Sequence, residues 1–129
     1  KENDRSMLIV EDDANFAKLL FVIAREKGFK CLLAEDGEAG LQLANQYKPS
    51  AMILDVGLPR MNGWTVMGHL KNNPETRHIP VYFISGHDTR MKALQMGAIG
   101  FLGKPVTLDG LNHAFDRINK MLSRESKNY

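Results

Sequence analysis

The sequence predicts an α/β domain built on a doubly wound, five-stranded parallel sheet. Short apolar runs alternate five times with segments of helical periodicity. Three of the runs lack polar alternation, which is typical of parallel strands covered by helices on both faces. Acidic, hydroxyl and amino side chains follow the runs, at the sheet edge where folds of this class bind ligands. The fold and the candidate site are therefore predicted together.

Five strand-like runs and five helical patterns can be followed along the chain. The runs are residues 7–10, 30–34, 51–54, 81–84 and 99–102. The helical patterns after them are residues 15–27, 38–46, 63–71, 89–95 and 108–122. Turn residues support these boundaries, because Gly28 ends the first helix, Asp36-Gly37 and Lys48-Pro49 mark loops, and Ile79-Pro80 introduces the fourth strand.

Length and composition fit one compact domain. The 129 residues and 43% hydrophobic content suffice to bury a core. We therefore predict a single domain over residues 1–129, with its core at about 6–123 and polar tails at both ends. The net charge of +2, spread over scattered basic residues, argues against nucleic acid as the main partner.

Several features predict a cytoplasmic location. Cys31 is the only cysteine, which excludes an internal disulfide and fits a reducing compartment. No apolar segment has the length of a membrane span, and no signal sequence opens the chain. We expect no membrane insertion by this domain. Because the numbering starts at Lys1 without a methionine, the chain is expected to be a piece of a longer protein, which could itself be anchored in a membrane.

Three acidic residues at strand ends predict a metal site. Glu11 and Asp12 follow the first run, and Asp55 follows the third. Carboxylates this close repel one another unless a cation lies between them. Oxygen ligands without a histidine or thiolate favour Mg²⁺ or Mn²⁺.

Ser85 and Lys104 extend this group, at the ends of the fourth and fifth runs. Asp55 could act as a nucleophile toward a phosphoryl group while the metal and Lys104 balance charge and Ser85 donates a hydrogen bond. Each residue alone has an ordinary explanation as a helix cap, a turn or a solvated charge. Together, at four strand ends, they favour a site that accepts a phosphoryl group.

The chain resembles the receiver domains of two-component response regulators, in the CheY-like superfamily, over nearly its whole length. Five motifs carry the resemblance: Val10-Glu11-Asp12, Asp55-Val56-Gly57-Leu58-Pro59, Met61-Asn62-Gly63, Ser85-Gly86-His87, and Gly97-Ala98 running to Phe101-Leu102-Gly103-Lys104-Pro105. The resemblance implies strand order 2-1-3-4-5 in a flavodoxin-like three-layer sandwich. It also implies that Asp55 accepts a phosphoryl group from a phosphohistidine.

The resemblance also implies roles for the neighbouring residues. Glu11, Asp12 and the backbone carbonyl of Gly57 would complete the metal site with Asp55. Ser85 and Lys104 would contact the phosphoryl group. Ser85, Phe101 and Pro105 would form the switch, with Phe101 as its aromatic residue and a cis Lys104-Pro105 bond.

Departures from the commonest family pattern are mild. Ser85 stands where threonine is more frequent, Gly86 stands for a usual alanine, and Gly57 provides no side chain beside the acceptor. Gly57 and His87 occupy the two positions that tune loss of the phosphoryl group to water in this family. The phosphoryl lifetime is therefore left open.

The implied function is that of a phosphorelay receiver. Its partner would be a histidine kinase or a histidine phosphotransfer domain, and a receiver dimer is left open. Such a domain is not a stand-alone enzyme, although it catalyses its own phosphorylation and dephosphorylation. Residues 80–106 look especially like receivers of hybrid sensor histidine kinases, but a piece of an ordinary response regulator would look the same.

Two surfaces are expected to communicate with partners. The helix at residues 15–27 has an apolar surface wider than one sheet face needs. Unless neighbouring helices bury the excess, we expect it to dock the helical bundle that carries the donor histidine. Phosphorylation adds negative charge, and Ser85 moving toward it would vacate space for Phe101. This switch would change a second surface, which includes Lys92, Gln95, Asp109 and His113.

Other functions fit less well. Haloacid-dehalogenase-like phosphatases place two acids as Asp-x-Asp after the first strand, whereas Glu11 and Asp12 are adjacent. A nucleotide-binding domain would need a glycine-rich loop after a strand, and none is present. A pseudo-receiver would not need the complete acidic, serine and lysine set. The histidines are scattered without ligand spacing, at positions 69, 78, 87 and 113.

Overall fold

A computed structural model describes residues 5–127, and the side chains of residues 5–124. Within these residues, five strands alternate with five helices. The strands are β1 (Arg5–Val10), β2 (Phe29–Ala34), β3 (Ala51–Asp55), β4 (Val81–Ser85) and β5 (Gly100–Gly103). The helices are α1 (Ala14–Glu26), α2 (Gly37–Tyr47), α3 (Gly63–Lys71), α4 (Arg90–Gln95) and α5 (Leu108–Lys127). The predicted alternation is confirmed.

All strand pairs are parallel, in the order β2-β1-β3-β4-β5. The predicted fold class and strand order are therefore confirmed. From β1 the chain first adds β2 on one side and then β3 on the other, so the order reverses between β1 and β3. Ligands of such sheets bind beyond the carboxyl ends of the strands at this reversal, and Glu11 and Asp55 lie there.

The core has one layer on each face of the sheet because successive strand side chains point to opposite faces. Leu8 and Val10 of β1 pack on the α2, α3 and α4 side. Met7 and Ile9 pack on the α1 and α5 side. Every residue of β3 and β4 is buried, which explains why these runs lack polar alternation.

Element boundaries differ from the predictions by a few residues, for local reasons. The Asp13 side chain accepts hydrogen bonds from the Asn15 and Phe16 amides and starts α1 at Ala14. β1 begins two residues earlier than predicted because Arg5 and Ser6 pair with β2. α4 begins at Arg90 because Thr89 has the non-helical cap conformation.

The predicted polar tails lie partly outside the described residues. Arg5 and Ser6 belong to β1, and α5 continues five residues past its predicted end at 122. Cys31 is partly buried on β2, where burial raises the pKa of its thiol. Across residues 5–127, no helix is both long and apolar enough to cross a membrane.

Gly63 lets α3 pack closely beneath the end of β3. A Cβ atom at this position would lie 2.4 Å from the Asp55 carbonyl oxygen and 2.8 Å from the Val56 Cα. Because backbone atoms cannot yield as a flexible side chain does, we expect Gly63→Ala to lower the free energy of unfolding by about 1–3 kcal/mol. Urea unfolding measures this loss.

Gly68→Ala is the matched control on the same helix, since nothing lies within 4 Å of a Cβ there. It should leave stability unchanged or raise it by up to about 1 kcal/mol, because alanine favours helix. Equal stabilities of the two variants would contradict the close approach of α3 to β3.

Candidate functional site

Three carboxylates meet at the carboxyl edge of the sheet. Glu11 follows β1 and Asp55 ends β3, and both are nearly fully buried, with exposed fractions of 2% and 3%. Asp12 lies beside them and is exposed. One carboxylate oxygen from each residue lies within 4.8 Å of the other two. The acidic cluster predicted from the strand ends therefore forms.

Lys104 connects the two buried acids. Its Nζ lies 3.3 Å from Glu11 Oε1 and 3.4 Å from Asp55 Oδ2, and 5.5 Å from the centre of the Phe16 ring. Partial burial alone lowers the pKa of Lys104, but the charges of Asp55 and Glu11 outweigh it, so the pKa lies above its usual value. The lysine therefore stays a cation between the two carboxylates.

The negative charge of Glu11 is only partly balanced by its neighbours. The pKa of Glu11 is raised to about 7, with burial as the largest cause; the Asp13 backbone N–H lowers the pKa, the charge of Asp55 raises it, and Lys104 lowers it. Oε2 accepts a hydrogen bond of 3.1 Å from the Asp13 N–H. Oε1 is buried and accepts no hydrogen bond within the described part of the chain, its contact with Lys104 being an ion pair. A buried carboxylate oxygen with an ion pair but no hydrogen bond can take a metal cation as a further partner.

Asp55 has one oxygen for each of two neighbours. Oδ1 accepts a hydrogen bond of 3.2 Å from the Gly57 N–H, and Oδ2 faces Lys104. Gly57 is exposed, and nothing lies within 4 Å of where its Cβ would be. The acceptor residue predicted from the sequence is thus held in orientation while the space beside Gly57 is open.

Ser85 lies on the strand next to Asp55. It ends β4, one residue beyond Ile84, which pairs with Asp55. Its Oγ is buried and accepts a hydrogen bond of 3.1 Å from the His87 N–H. The Lys104 N–H donates a 2.7 Å hydrogen bond to the Ser85 carbonyl. Ser85 and Lys104 also line one cavity of about 270 Å³.

Phe101 and Pro105 follow on β5 and in the loop after it. The Lys104-Pro105 peptide bond is cis, as the family resemblance implies. Phe101 is 5% exposed and packs in the core layer that contains Phe83. In the switch hypothesis Phe101 fills space that Ser85 vacates on phosphorylation, whereas the alternative is ordinary core packing, and here the ring already lies inside. The switch hypothesis must therefore start from a buried ring.

Sequence reasoning missed the contacts of Phe16 and Arg90. The Arg90 guanidinium lies 5.2 Å from the centre of the Phe101 ring, much as Lys104 lies near Phe16. Neither pair has a signal in sequence spacing, since the partners belong to elements far apart in the chain. The one sequence signal for Arg90 is a basic residue shortly after the Ser85-Gly86-His87 motif.

The structure also bears on the alternatives. Within residues 5–127, the acidic cluster is the one group of at least three His, Cys, Asp or Glu side chains close enough to hold a metal. The scattered histidines form no such group. The exposed positions predicted near α4 and α5 are confirmed as exposed: Lys92, Gln95, Asp109 and His113.

Comparisons with known proteins show the family of this chain. The sequence profile of the response regulator receiver domain matches residues 7–116. Response regulator PleD of Caulobacter vibrioides is 37% identical over 103 residues, which make up 78% of this chain and 23% of PleD. Polar-differentiation response regulator DivK of Brucella anthropi is 29% identical over 109 residues, 81% of this chain and 87% of DivK.

A solved structure is also similar to this chain. The crystal structure of a putative response regulator from Chloroflexus aurantiacus is 29% identical, with a TM-score of 0.82, and the match covers 89% of this chain and 97% of that one. The profile match spans most of the chain and contains the acidic cluster, Ser85 and Lys104. The chain belongs to the response regulator receiver domain family of two-component systems.

Proposed function

We propose that this receiver domain, one domain over residues 1–129, takes a phosphoryl group onto Asp55 from a phosphohistidine. Its partner would be a histidine kinase or a histidine phosphotransfer domain in the cytoplasm. The observation that carries the proposal is the meeting of three carboxylates within 4.8 Å, with Lys104 held against two of them. An isolated helix cap or turn does not require this arrangement.

In the proposed transfer, one Asp55 carboxylate oxygen bonds to phosphorus as the phosphorus–nitrogen bond of phosphohistidine breaks. The electron pair of that bond returns to the imidazole, which leaves as neutral histidine after taking a proton. The Gly57 N–H orients Asp55 through Oδ1. Lys104, already against Asp55 Oδ2, balances charge on the phosphoryl oxygens. Ser85, whose Oγ accepts a hydrogen bond from the His87 N–H, keeps its hydroxyl hydrogen to donate to them.

Glu11, Asp12, Asp55 and the Gly57 carbonyl would hold Mg²⁺ (or Mn²⁺). The residues fit a hard divalent ion because they offer only oxygen ligands, and because buried Glu11 Oε1, which forms an ion pair with Lys104, accepts no hydrogen bond from the rest of the described chain. When bound, such an ion supplies positive charge to the oxygens of the transferring group. Asp12, which is exposed, can reach the ion from the solvent side.

Incubation with acetyl phosphate and Mg²⁺, followed by intact mass, tests the proposed transfer. One phosphoryl adduct per chain supports a receiver, whereas multiple-turnover release of phosphate would support a hydrolase. As a receiver domain, the chain is not a stand-alone enzyme. The parent protein could be a hybrid sensor histidine kinase or a response regulator.

Mg²⁺ should stabilise the folded protein through the acidic cluster. At a Mg²⁺ concentration 100 times the dissociation constant, the gain is about 2.7 kcal/mol, seen as a rise in the thermal unfolding midpoint. Asp12→Asn should remove most of this rise. Asp13→Asn is the matched control, since asparagine caps α1 as well as aspartate does. Equal Mg²⁺ effects in both variants would argue against the cluster as the binding site.

We propose the exposed apolar residues of α1 as the docking surface for the donor. Leu19 and Val22 keep exposed fractions of 45% and 48%, so part of the wide apolar face is left free while Leu20 and Ile23 enter the core. α1 starts beside the acidic cluster, which brings a docked helical bundle close to Asp55.

Leu19→Glu and Val22→Glu should slow transfer from a cognate phosphohistidine donor at least tenfold, because each buries a charge against the donor. Phosphorylation by acetyl phosphate should keep its rate. Tyr47→Glu, an exposed apolar position at the end of α2, should change neither rate. Equal slowing with both donors would show that the substitutions damage the site rather than docking.

A further inference from the structure

Arg90 covers the ring of Phe101. Its guanidinium carbon lies 5.2 Å from the ring centre. Arg90 itself is exposed, whereas Phe101 is buried. A guanidinium over an aromatic face is attracted by the negative charge of the ring face. The contact therefore favours the buried position of Phe101.

The same two residues line the cavity that contains Ser85 and Lys104. A phosphoryl group on Asp55 would bring about 1.5–2 negative charges to this edge of the sheet. Arg90 and Lys104 are the cations that line the cavity. Arg90 and Phe101 thus line the same cavity as the residues proposed to contact the phosphoryl group.

The helix that carries Arg90, α4, is short. The helix has six residues, and Ala93 is the buried one among them. Its N-cap residue Thr89 makes no side-chain hydrogen bond to the helix. Lys92 adds a second cation–aromatic contact, with Nζ 4.7 Å from the centre of the Trp64 ring on α3. The Arg90 contact is thus the one of these two that reaches the ring of Phe101.

We propose that Arg90 is a positioning residue: it holds Phe101 in the buried position and so prepares the cavity for a phosphoryl group. The inference rests on the proposed function, since it concerns the response to a group on Asp55. If Arg90 raises the fraction of molecules with the competent arrangement, its removal must weaken apparent binding of a phosphoryl analogue in proportion.

Beryllofluoride with Mg²⁺ serves as the probe, and an NMR titration of the ¹⁵N-labelled protein gives its apparent affinity. Arg90→Met keeps an unbranched side chain without the charge and should weaken binding about two- to fivefold, from the usual strength of an exposed cation–aromatic contact. Lys92→Met makes the same change on the same helix over a different ring, and should leave the affinity unchanged. Arg90→Lys keeps a cation and should fall between Arg90→Met and the original protein.

A double-mutant cycle separates positioning of Phe101 from general damage to α4. In a Phe101→Leu background, Arg90→Met should cause no further loss of affinity. Unchanged or tighter binding by Arg90→Met, or an equal loss without the Phe101 ring, overturns the inference. If the original protein binds no beryllofluoride, the proposed function fails as well. If it binds and Arg90→Met is silent, only the role of Arg90 fails.

Discussion

Asp55→Asn abolishes the phosphoryl adduct formed with acetyl phosphate and Mg²⁺. The amide offers no carboxylate oxygen as a nucleophile. Among the described residues, Glu11 is the other buried carboxylate in contact with Lys104, and we assign it to the metal site. Intact mass should show only unmodified protein under conditions that modify the original chain fully. The variant should stay folded, because it removes one of two buried acids that repel each other.

Asp36→Asn is the matched control for this substitution. Asp36 caps α2 through the Ala39 N–H, and asparagine can make the same cap. This variant should accept a phosphoryl group as the original protein does. An adduct of equal yield in Asp55→Asn would move the acceptor to another side chain and contradict the proposed chemistry.

Lys104→Met slows phosphorylation by acetyl phosphate about 10²–10³-fold, the usual cost of losing one positioned group that stabilises developing charge. Its ammonium lies within 3.4 Å of Asp55 and is held there by Glu11 as well. The variant keeps the length of the side chain but not its charge. The rate of adduct formation, measured by intact mass over time, checks the expected loss.

Lys104→Arg and Lys92→Met sharpen the test. Arginine keeps the charge with a different shape, so Lys104→Arg should recover part of the rate. Lys92 lies over Trp64, away from the acids, and Lys92→Met should react as the original protein does. A rate for Lys104→Met within threefold of the original would show that the observed ion pairs are structural only.

Much of the fold could be predicted because buried strands consist of short runs of apolar residues. The runs ending at Val10, Asp55 and Ser85 are buried on both faces, and that burial excludes polar alternation. The strand order was not derivable from periodicity, and came from the family resemblance. Boundaries shifted where single side chains act, as Asp13 does at the start of α1.

The residues of the site could be predicted from the sequence, but their distances and contacts could not. Parallel strands bring their carboxyl ends to one edge, and the strand order implied by the family resemblance makes β1, β3 and β4 neighbours, which together place Glu11, Asp55 and Ser85 near one another. The buried oxygen of Glu11 and the two contacts of Lys104 depend on side-chain packing. No sequence pattern encodes such distances.

The position of the Phe101 ring could not be predicted from the family motif. The family pattern identifies the aromatic residue but does not say where its ring lies in a given state. Here the ring is buried beneath Arg90. The response of this receiver to phosphorylation should therefore depend on α4 as well as on the acidic cluster.

The central claim is that a divalent ion held by the clustered acids makes Asp55 reactive toward phosphorus. A crystal structure of the protein grown with Mg²⁺ and beryllofluoride tests it most directly. We predict an ion bound by Glu11, Asp12, Asp55 and the Gly57 carbonyl, with beryllofluoride on Asp55 in contact with Ser85 and Lys104. Crystals of the folded protein that contain neither ion nor beryllofluoride at these residues would contradict the claim.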